Sequence, residues 1–424
     1  MPNRFSLGAV VLGLIVAAQS QVARGQGYGS DTQNLLTPAA GGMAGVSLAL
    51  PQDVPAAIFG NPATLTQFHG TQFTMGGAWV EGYPTIATNT LQPGGQPGAP
   101  YSVTSRTQGF AGSDIGVVQD LRPLGLPGTY GVGLAGLSGL GDEYRNLAPA
   151  GSFLNTLSNE YLVLGVNMAA GFEVTDQLSV GAALTLGTGF EQLGFIGPIA
   201  GSAMVHDYAL RGTFGLDYAL NEWNTVGAYY QSKMAFDFSN AIRYTSILPP
   251  FTTTFHDLRI DQPQTIGLGY ANRSLMNGDL LVAADVYYKL WDDAALWQDV
   301  FVNQWAFAVG TQLTRGRMKY RLGYSYNGNP IDHNVGSKLD GLPVAQDIVQ
   351  LFQAACAPCV NQHRITGGIG VHGFLIPTLD LDLFAGGLFK GQDNFGAGTQ
   401  ASLAVYYIGL GMTWRYGECC EHSP

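Results

Sequence analysis

Residues 404–416 read Ala-Val-Tyr-Tyr-Ile-Gly-Leu-Gly-Met-Thr-Trp-Arg-Tyr and alternate without a break. One face is apolar from Ala404 to Tyr416, with aromatic rings near both ends. The other face is mostly small, polar or charged, and it includes Gly409, Gly411 and Arg415. A strand of a soluble sandwich also alternates, but rings at both ends of the apolar face are typical of a strand that crosses a bilayer. The stretch therefore predicts one strand of a transmembrane β-barrel.

The same alternation recurs from residue 70 onward and predicts an all-β chain. We expect a transmembrane antiparallel β-barrel of about 14 strands, an even number as in single-chain bacterial barrels. The expected spans are 70–80, 109–121, 128–139, 158–173, 177–191, 205–219, 223–236, 253–272, 278–292, 303–314, 317–328, 362–373, 378–390 and 401–416.

The expected connections alternate in length. Short ones, such as 174–176 and 315–316, fall at one end of the barrel. Long ones fall at the other end, at 81–108, 140–157, 192–204, 237–252, 293–302, 329–361 and 391–400. Outer-membrane barrels have this asymmetry, with short periplasmic turns and long outer loops, whereas a sandwich has no reason to sort its loops.

The composition limits the class of protein. The chain has 424 residues, of which 46% are hydrophobic and only 12% are charged, and its mean hydropathy is +0.10. After the N-terminus no run reaches the ~18 apolar residues that a membrane helix needs. These values fit a transmembrane barrel or a large soluble β protein. The net charge of −11 argues against nucleic acid as a partner, because such partners need clustered Lys and Arg.

The N-terminus predicts export. Arg4 is followed by a mostly apolar run at 5–18 and then by small and polar residues, which is typical of a secretory signal peptide. Cleavage after Gly25 is favoured over cleavage after Ser20, and an uncleaved anchor is the alternative. Barrel strands behind a signal predict a multi-pass barrel in the bacterial outer membrane, surrounded by its lipid and inserted by the barrel assembly machinery. The expected organisation is a signal peptide at 1–25, a segment at 26–69 that we call the hatch, the barrel at 70–416 and a tail at 417–424.

The hatch segment does not alternate. Asp53 is placed to cap a short helix that has Pro55 in its first turn, and residues 60–63 then break the helix before strand one. A barrel of 14 strands is too wide for side chains alone to fill. The sequence therefore predicts that this segment plugs the lumen.

The polar parity of the strands is expected to face the lumen, because charges on a lipid face are expensive. Both signs of charge occur there. One interpretation is a network of salt bridges that stiffens the wall and holds the plug. The other is that basic residues receive the anionic headgroup of a substrate, with Arg211, Lys233, Lys319 and Arg321 as the candidate contacts.

The hatch segment carries a motif that resembles a known family. A Gly/Ala stretch at 41–45 is followed by Ala-Ala-Ile-Phe-Gly-Asn-Pro-Ala-Thr-Leu at 56–65, immediately ahead of strand one. This order resembles the hatch signature of the FadL/TodX family of outer-membrane transporters for hydrophobic compounds. Similar segments follow in order at 139–145, 230–233 and 262–265, and at Trp291. Gln231, Gln262 and Gln264 depart from the family pattern at wall positions.

The resemblance implies a passive channel that needs no cofactor and works as a monomer. The hatch would be held in shape by Gly60, Asn61, Pro62 and Ala63. Its ligand would be a hydrophobic small molecule, either a long-chain fatty acid or an aromatic hydrocarbon. The substrate would move from the outer loops to a lumen site near the hatch and leave after hatch movement or sideways through the wall. The outer loops match no known pattern, so the substrate stays open.

Two further features lie near the end of the longest expected loop. Residues 344–355 have apolar residues near helical spacing and predict a short amphipathic helix over the barrel mouth. Cys356 and Cys359 follow, and in an oxidising compartment a loop disulfide is favoured over redox catalysis. A metal site of these cysteines with His363 would have too few ligands. No catalytic motif occurs in a suitable context, so we expect no enzyme activity and no metal.

Three functions remain open from the sequence. The leading one is a hydrophobic-compound channel. The second is a FadL-like barrel that no longer transports and instead anchors or carries secreted proteins at the surface, as the PorV branch does. The third is a general polar porin, which the long N-terminal segment disfavours. A continuous apolar tunnel would favour transport, and a tight lumen seal with large docking loops would favour the anchor.

Overall fold

The computed structural model describes residues 36–90, 97–107, 109–194, 199–201, 203–245, 250, 252–356, 358, 360 and 362–416. The expected signal peptide, residues 26–35 of the expected hatch and the tail 417–424 lie outside the described residues.

A closed antiparallel barrel forms the wall. Its fourteen described strands pair in chain order, and the last pairs with the first over twelve residues, from Thr71–Tyr416 to Gly82–Val405. The closed ladder pairs the backbone along most of the wall, as a barrel in lipid requires. The wall strands are β1 Thr71–Gly82, β4 Phe110–Asp120, β5 Gly128–Glu143, β6 Ser158–Glu173, β7 Leu178–Gly194, β9 Val205–Asn221, β10 Asn224–Gln231, β13 Gln264–Leu275, β14 Leu280–Leu290, β15 Gln304–Arg315, β16 Met318–Asn327, β19 His363–Val371, β20 Leu379–Gly396 and β21 Thr399–Tyr416.

The remaining strands are not part of the closed wall and belong to the connections at the end that carries the long loops. β2 (Thr85–Thr90) and β3 (Pro97–Thr104) form a hairpin on the outer part of β21. β8 (Ile199–Gly201), β11 (Met234–Thr245) and β12 (Thr253–Gln262) form a separate sheet. β17 (Lys338–Leu339) and β18 (Leu342–Pro343) form a small hairpin.

Helices are short. They are α1 (Val54–Phe59) in the hatch, α2 (Gln346–Cys356) in the longest outer connection, and 3-10 turns at Ala40–Met43, Pro62–Gln67, Arg122–Leu124, Phe153–Thr156, Met276–Gly278, Trp291–Asp293 and Trp297–Asp299. Among the described residues, no helix has the length and apolar character needed to cross a membrane.

The two faces of the wall have opposite character, as the alternation predicts. On β9 the side chains of Leu210 and Phe214 are 60% and 62% exposed, whereas Arg211 and Thr213 between them are buried. On β21, Tyr406, Ile408 and Leu410 face outward and Val405 and Tyr407 face inward. Such a continuous apolar outer surface is far larger than a water-soluble monomer tolerates. The wall is therefore an outer-membrane-type barrel with a polar and glycine-rich interior.

Several expectations need correction at the outer end, including the loop 237–252, which contains most of β11. The expected strands 223–236 and 253–272 each combine a wall strand with a strand of the separate sheet, whose own alternation hides the junction. Pro263 stands at the second junction, because a residue without an N–H ends a ladder. Residues 81–108, expected as a loop, contain the β2–β3 hairpin.

The expected loop 391–400 is a tight hairpin. β20 and β21 continue to the pair Gly396–Thr399, and only Ala397 and Gly398 connect them. Both connecting residues have positive φ, as a two-residue hairpin turn of this kind requires.

A cap closes the outer mouth of the barrel. β11 enters the lumen, where Met234 and Phe236 pack against the inner side of β7 at Gly187 and Gly189. Its apolar side chains join a large buried cluster that includes Tyr161. A stack of Trp297 on Phe301, with ring centroids 5.3 Å apart, extends this cluster.

Candidate functional site

Asn61 joins the hatch to itself and to the wall. Its side chain is fully buried, its amide donates to the carbonyl oxygens of Leu48 and Leu216, both at 2.8 Å, and its Oδ1 accepts from the N–H of Ala63 at 3.1 Å. Pro62 starts the following 3-10 turn, where its missing N–H costs nothing. Gly60 closes α1 through an N–H bond of 3.1 Å to the carbonyl of Ala56. The predicted hatch residues thus lie together inside the lumen.

Asp53 ties two parts of the hatch together. Its Oδ1 accepts from the N–H of Ala56 at 2.9 Å, which is the predicted helix cap. Its Oδ2 accepts from Ala39 at 2.7 Å and Ala40 at 2.9 Å, which the sequence did not indicate. Burial raises the pKa of Asp53, and the three backbone hydrogen bonds oppose that shift.

Polar side chains of the wall receive the backbone of the hatch. Asp285 on β14 accepts from the N–H groups of Ser47 and Leu48 at 2.8 and 3.1 Å. Thr366 on β19 accepts from Ala44 and donates to the carbonyl of Gly42. Because these wall groups are buried, they would lack hydrogen-bond partners if the hatch were absent.

A ring of inward-facing glycines lets the hatch approach the wall. A Cβ on Gly181 would lie 2.3 Å from Pro62, and one on Gly215 would lie 1.9 Å from Asn61. A Cβ on Gly227 would likewise be too close to Leu48, and a Cβ on Gly323 would be too close to Met43. The sequence signal was present as small residues on the inner parity, but it did not show which glycines would meet the hatch.

A salt-bridge cluster anchors the hatch at the end with the short turns. Arg122, in the turn between β4 and β5, pairs with Asp120 at 3.0 Å and with Glu173. Its second terminal nitrogen also donates to the carbonyl of Thr66 in the hatch at 2.7 Å. The turn, two strands and the hatch are therefore fixed by one guanidinium.

A lumen cavity lies between the hatch and the wall. The hatch contributes Leu36, Thr37 and Phe59 to its lining. The wall contributes apolar and polar groups from six strands, namely Phe110, Gly112, Ser113, Asp114, Ala135, Gly136, Leu137, Ser138, Leu162, Thr185, Arg211 and Gln231. The combination of apolar walls with a few polar groups is typical of a site for a small hydrophobic ligand.

The wall is irregular next to this cavity. The β4–β5 ladder runs from Asp120–Thr129 to Asp114–Ala135 and ends there, although both strands continue. β5 bulges at Leu137, where its register with β6 shifts between Gly136 and Ser138. The Leu137 side chain faces inward, since a Cβ on Gly165 of β6 would lie 2.4 Å from it. Higher up, Thr107 donates to the carbonyl of Gly141 at 3.2 Å and bounds the irregular region.

The four basic residues predicted as substrate contacts lie in different parts of the structure. Arg211 lines the cavity and donates to Gln231 at 3.1 Å. Arg321 is fully buried and pairs with Asp382, as the salt-bridge interpretation expects. Lys319 is half-buried on the same strand, within electrostatic reach of Asp382.

Lys233 lies beyond the wall rather than on it. It follows the end of β10 and pairs with Asp261 at 3.5 Å and Asp293 at 3.2 Å. Of the four, Arg211 alone is brought to the cavity.

The predicted helix over the mouth is present as α2. Leu351, Ala355 and Cys356 pack with Tyr144 and Leu154 in a buried cluster. Cys359 lies outside the described residues, so its disulfide with Cys356 stays a prediction. Within the described ranges, no group of three or more His, Cys, Asp or Glu could hold a metal ion.

Comparison with known proteins shows which solved structures share this fold. No family model and no curated protein matches the sequence. The toluene transporter TodX of Pseudomonas putida superposes with a TM-score of 0.64 at 18% identity, over 93% of this chain and 100% of that one. The chain has the fold of the FadL and TodX channels. A Pseudomonas aeruginosa FadL homologue gives a TM-score of 0.68 at 13% identity, over 93% and 100%. The Ralstonia pickettii toluene transporter TbuX gives 0.63 at 16%, over 91% and 99%. The resemblance found in the hatch motif is thus confirmed for the fold.

Proposed function

We propose that the protein is a bacterial outer-membrane channel for passive uptake of hydrophobic small molecules, such as long-chain fatty acids or aromatic hydrocarbons. The observation that carries the proposal is the position of the cavity. It lies between the hatch and the one wall region where the described β4–β5 ladder stops and β5 bulges. The fold it shares with structures named as toluene transporters and a FadL homologue supports the same function.

Release through the wall would suit such a substrate. A hydrophobic molecule that left through a water-filled pore would return to water. Its transfer free energy would be unfavourable by about 0.8 kcal/mol per exposed CH₂. The irregular region between β4 and β5 adjoins the cavity on one side and lipid on the other. We therefore include sideways release at Leu137 in the proposal.

Entry of substrate would require movement of the hatch or of the cavity side chains. The free volume of the cavity is about 50 Å³. For comparison, an apolar cavity of roughly 150 Å³ binds benzene. The described conformation therefore corresponds to a closed state of the proposed channel, with Phe59 of the hatch and Leu137 of the wall among the groups that would have to move.

Uptake by cells tests the proposal. Cells that lack their own transporter and express this chain would be given radiolabelled oleate or toluene, with Asn61→Ala beside the wild type. We expect saturable uptake of at least one compound and a changed rate in the variant, because Asn61 holds the hatch to β9. A folded, surface-exposed barrel with no uptake of either compound would contradict the channel.

The second candidate is the anchor for secreted proteins. It is favoured by the filled lumen and by the large outer cap, since both would suit a barrel that seals its pore and presents loops. Its test is co-purification of secreted proteins from the native host with the wild type and with a variant lacking residues 237–245 of β11. Loss of captured proteins together with absent uptake would select the anchor.

A further inference from the structure

We infer that the molecule bound in the lumen cavity carries a hydroxyl group, so that the preferred cargo is a hydrophobic alcohol or phenol rather than a bare hydrocarbon or a carboxylate. The inference rests on the proposed channel function and names the substrate class of the same cavity. It is carried by the polar groups that line the cavity and that the uptake of a hydrocarbon would leave unused.

Asp114 is the first of these groups. It lies on the inner face of β4, is 3% exposed and lines the cavity. Neither of its carboxylate oxygens has a hydrogen-bond partner within the described part of the chain. Buried polar groups in folded proteins are nearly always hydrogen-bonded, so such a group calls for a partner that arrives with a ligand.

Ser138 is the second group. It is 3% exposed, lines the same cavity, and its hydroxyl has no hydrogen-bond partner among the described residues. It follows the β5 bulge, which turns positions 138 and 142 to the parity that faces inward. The bulge that interrupts the wall therefore also delivers a hydroxyl to the cavity.

Arg211 completes the polar lining. Gln231 holds its guanidinium at 3.1 Å, and the N–H groups of Arg211 donate only. The cavity thus offers an acceptor at Asp114, a donor and acceptor at Ser138, and a donor at Arg211. A hydroxyl both donates and accepts, so it can give its proton to Asp114 and receive a hydrogen bond from Ser138 or Arg211.

The two substrate classes proposed for the channel fit less well. A hydrocarbon would cover Asp114 and leave its oxygens without a partner, which a buried carboxyl disfavours. A fatty carboxylate could approach Arg211 but has no proton to donate to Asp114, so the oxygens of Asp114 would stay without a partner. Asp142 and Glu191 add acidic groups on the inner faces of β5 and β7, both 2% exposed and each with an oxygen that lacks a partner among the described residues. A cargo that donates a hydrogen bond therefore suits this lumen better than one that only accepts.

Matched probes test the inference. Uptake into proteoliposomes containing the full mature chain would be measured for p-cresol, toluene and p-toluate, and for 1-octanol beside octane, to separate aromatic from aliphatic hydroxyl compounds. We expect the wild type to prefer p-cresol over toluene by about ten- to a hundredfold, the range that a lost buried hydrogen bond gives, and p-toluate to be slowest.

Three variants locate the effect. Asp114→Leu should bring the p-cresol to toluene ratio close to one, and Asp114→Asn, which keeps an acceptor, should lie between. Asp176→Leu removes the same charge from the exposed turn between β6 and β7 and should behave as the wild type. Equal uptake of p-cresol and toluene, unaffected by Asp114, would overturn the hydroxyl inference and leave the channel standing. No uptake of any probe by a folded barrel would overturn the channel itself.

Discussion

A methyl group added at Gly181 would meet the hatch. Its Cβ would lie 2.3 Å from the Pro62 carbonyl carbon and the Ala63 nitrogen, which are backbone atoms and cannot turn aside. We expect Gly181→Ala to displace the hatch and to raise the conductance of the reconstituted protein in planar bilayers. The matched control is Gly367→Ala on β19, where the nearest atom is 3.7 Å away. Equal conductance in both variants would contradict the close fit.

The hatch motif shows what single residues could and could not predict. Asn61 was identified from its place between a Gly/Ala stretch and strand one, and Asp53 from helix-capping chemistry. Their distant partners were not predictable, because the carbonyl of Leu216 is 155 residues from Asn61 and its position follows from barrel closure. The same limit applies to charges. The parity predicts that Arg321 faces inside, but only the registers of β16 with β19 and of β19 with β20 show that it pairs with Asp382.

Asp340 makes the outer cap sensitive to pH. It lies in the connection between β17 and β18, where its carboxylate accepts from the N–H of Arg259 on β12 at 3.0 Å, and burial raises the pKa of Asp340 to about 6. The unfolded value is about 3.9. Because the folded state binds the proton more tightly, the folded surroundings of Asp340 are most stable below the unfolded pKa and lose stability as the pH rises to about 6, where burial of the charged carboxylate becomes costly.

Limited proteolysis checks this pH dependence. We expect cleavage within residues 329–361 to be faster at pH 8 than at pH 5 after correction for the activity of the protease. Asp340→Asn should flatten the profile. A wild-type profile that is flat, or that shows greater protection at pH 8, would contradict the assignment.

At the level of elements, the bulge in β5 can be removed without turning the rest of the strand over. Deleting Leu137 takes out one residue of the bulge, so that residues 138–142 keep their inward or outward parity while the register with β6 becomes regular. We expect the deletion to extend the ladder with β4 and to lower hydrophobic uptake severalfold, because the proposed outlet closes.

Leu137→Ala is the control for that deletion. It keeps the bulge and only shortens the inward side chain, so uptake should be retained or increased. Both proteins should keep the heat-modifiable gel mobility of a folded barrel. Unchanged uptake in the deletion variant would argue for an exit past the hatch instead of through the wall.

The elements also show where pattern reading fails. All fourteen wall strands were expected from alternation, because each has one face toward lipid and one toward the lumen. The errors fall at the outer end, where the chain leaves the wall. There β11 and β12 alternate as well, since one side of their sheet covers the lumen, and a period of two cannot distinguish a strand in lipid from a strand in a cap.

At the scale of the whole molecule, we expect the barrel to fold without the hatch and the hatch to block the pore of the barrel. Deleting residues 26–60 should leave a folded barrel, because the wall ladder closes without the hatch through β1 and β21. Its conductance should rise sharply, and small polar solutes should pass. A folded deletion variant with unchanged conductance would show that the segment is not a plug.

The global architecture was predictable and its interior was not. The alternation of short and long loops and the alternation of apolar and polar residues along the strands predict a plugged barrel without knowledge of any contact. The lumen cavity depends on how Leu36 and Phe59 of the hatch meet Asp114 and Leu137 of the wall. These residues are separated by up to about a hundred positions and belong to elements that carry no mutual sequence signal.

The contacts of the hatch also set an order of assembly. The hatch precedes the first strand, yet Gly42 and Ala44 bind Thr366, more than 320 residues later, and Pro38 packs against Gly411 of the last strand. A nascent chain therefore holds its earliest segment in an unfinished state until its final strands have been made and inserted. The part that is synthesised first completes its fold last, and premature termination would leave it without a binding site.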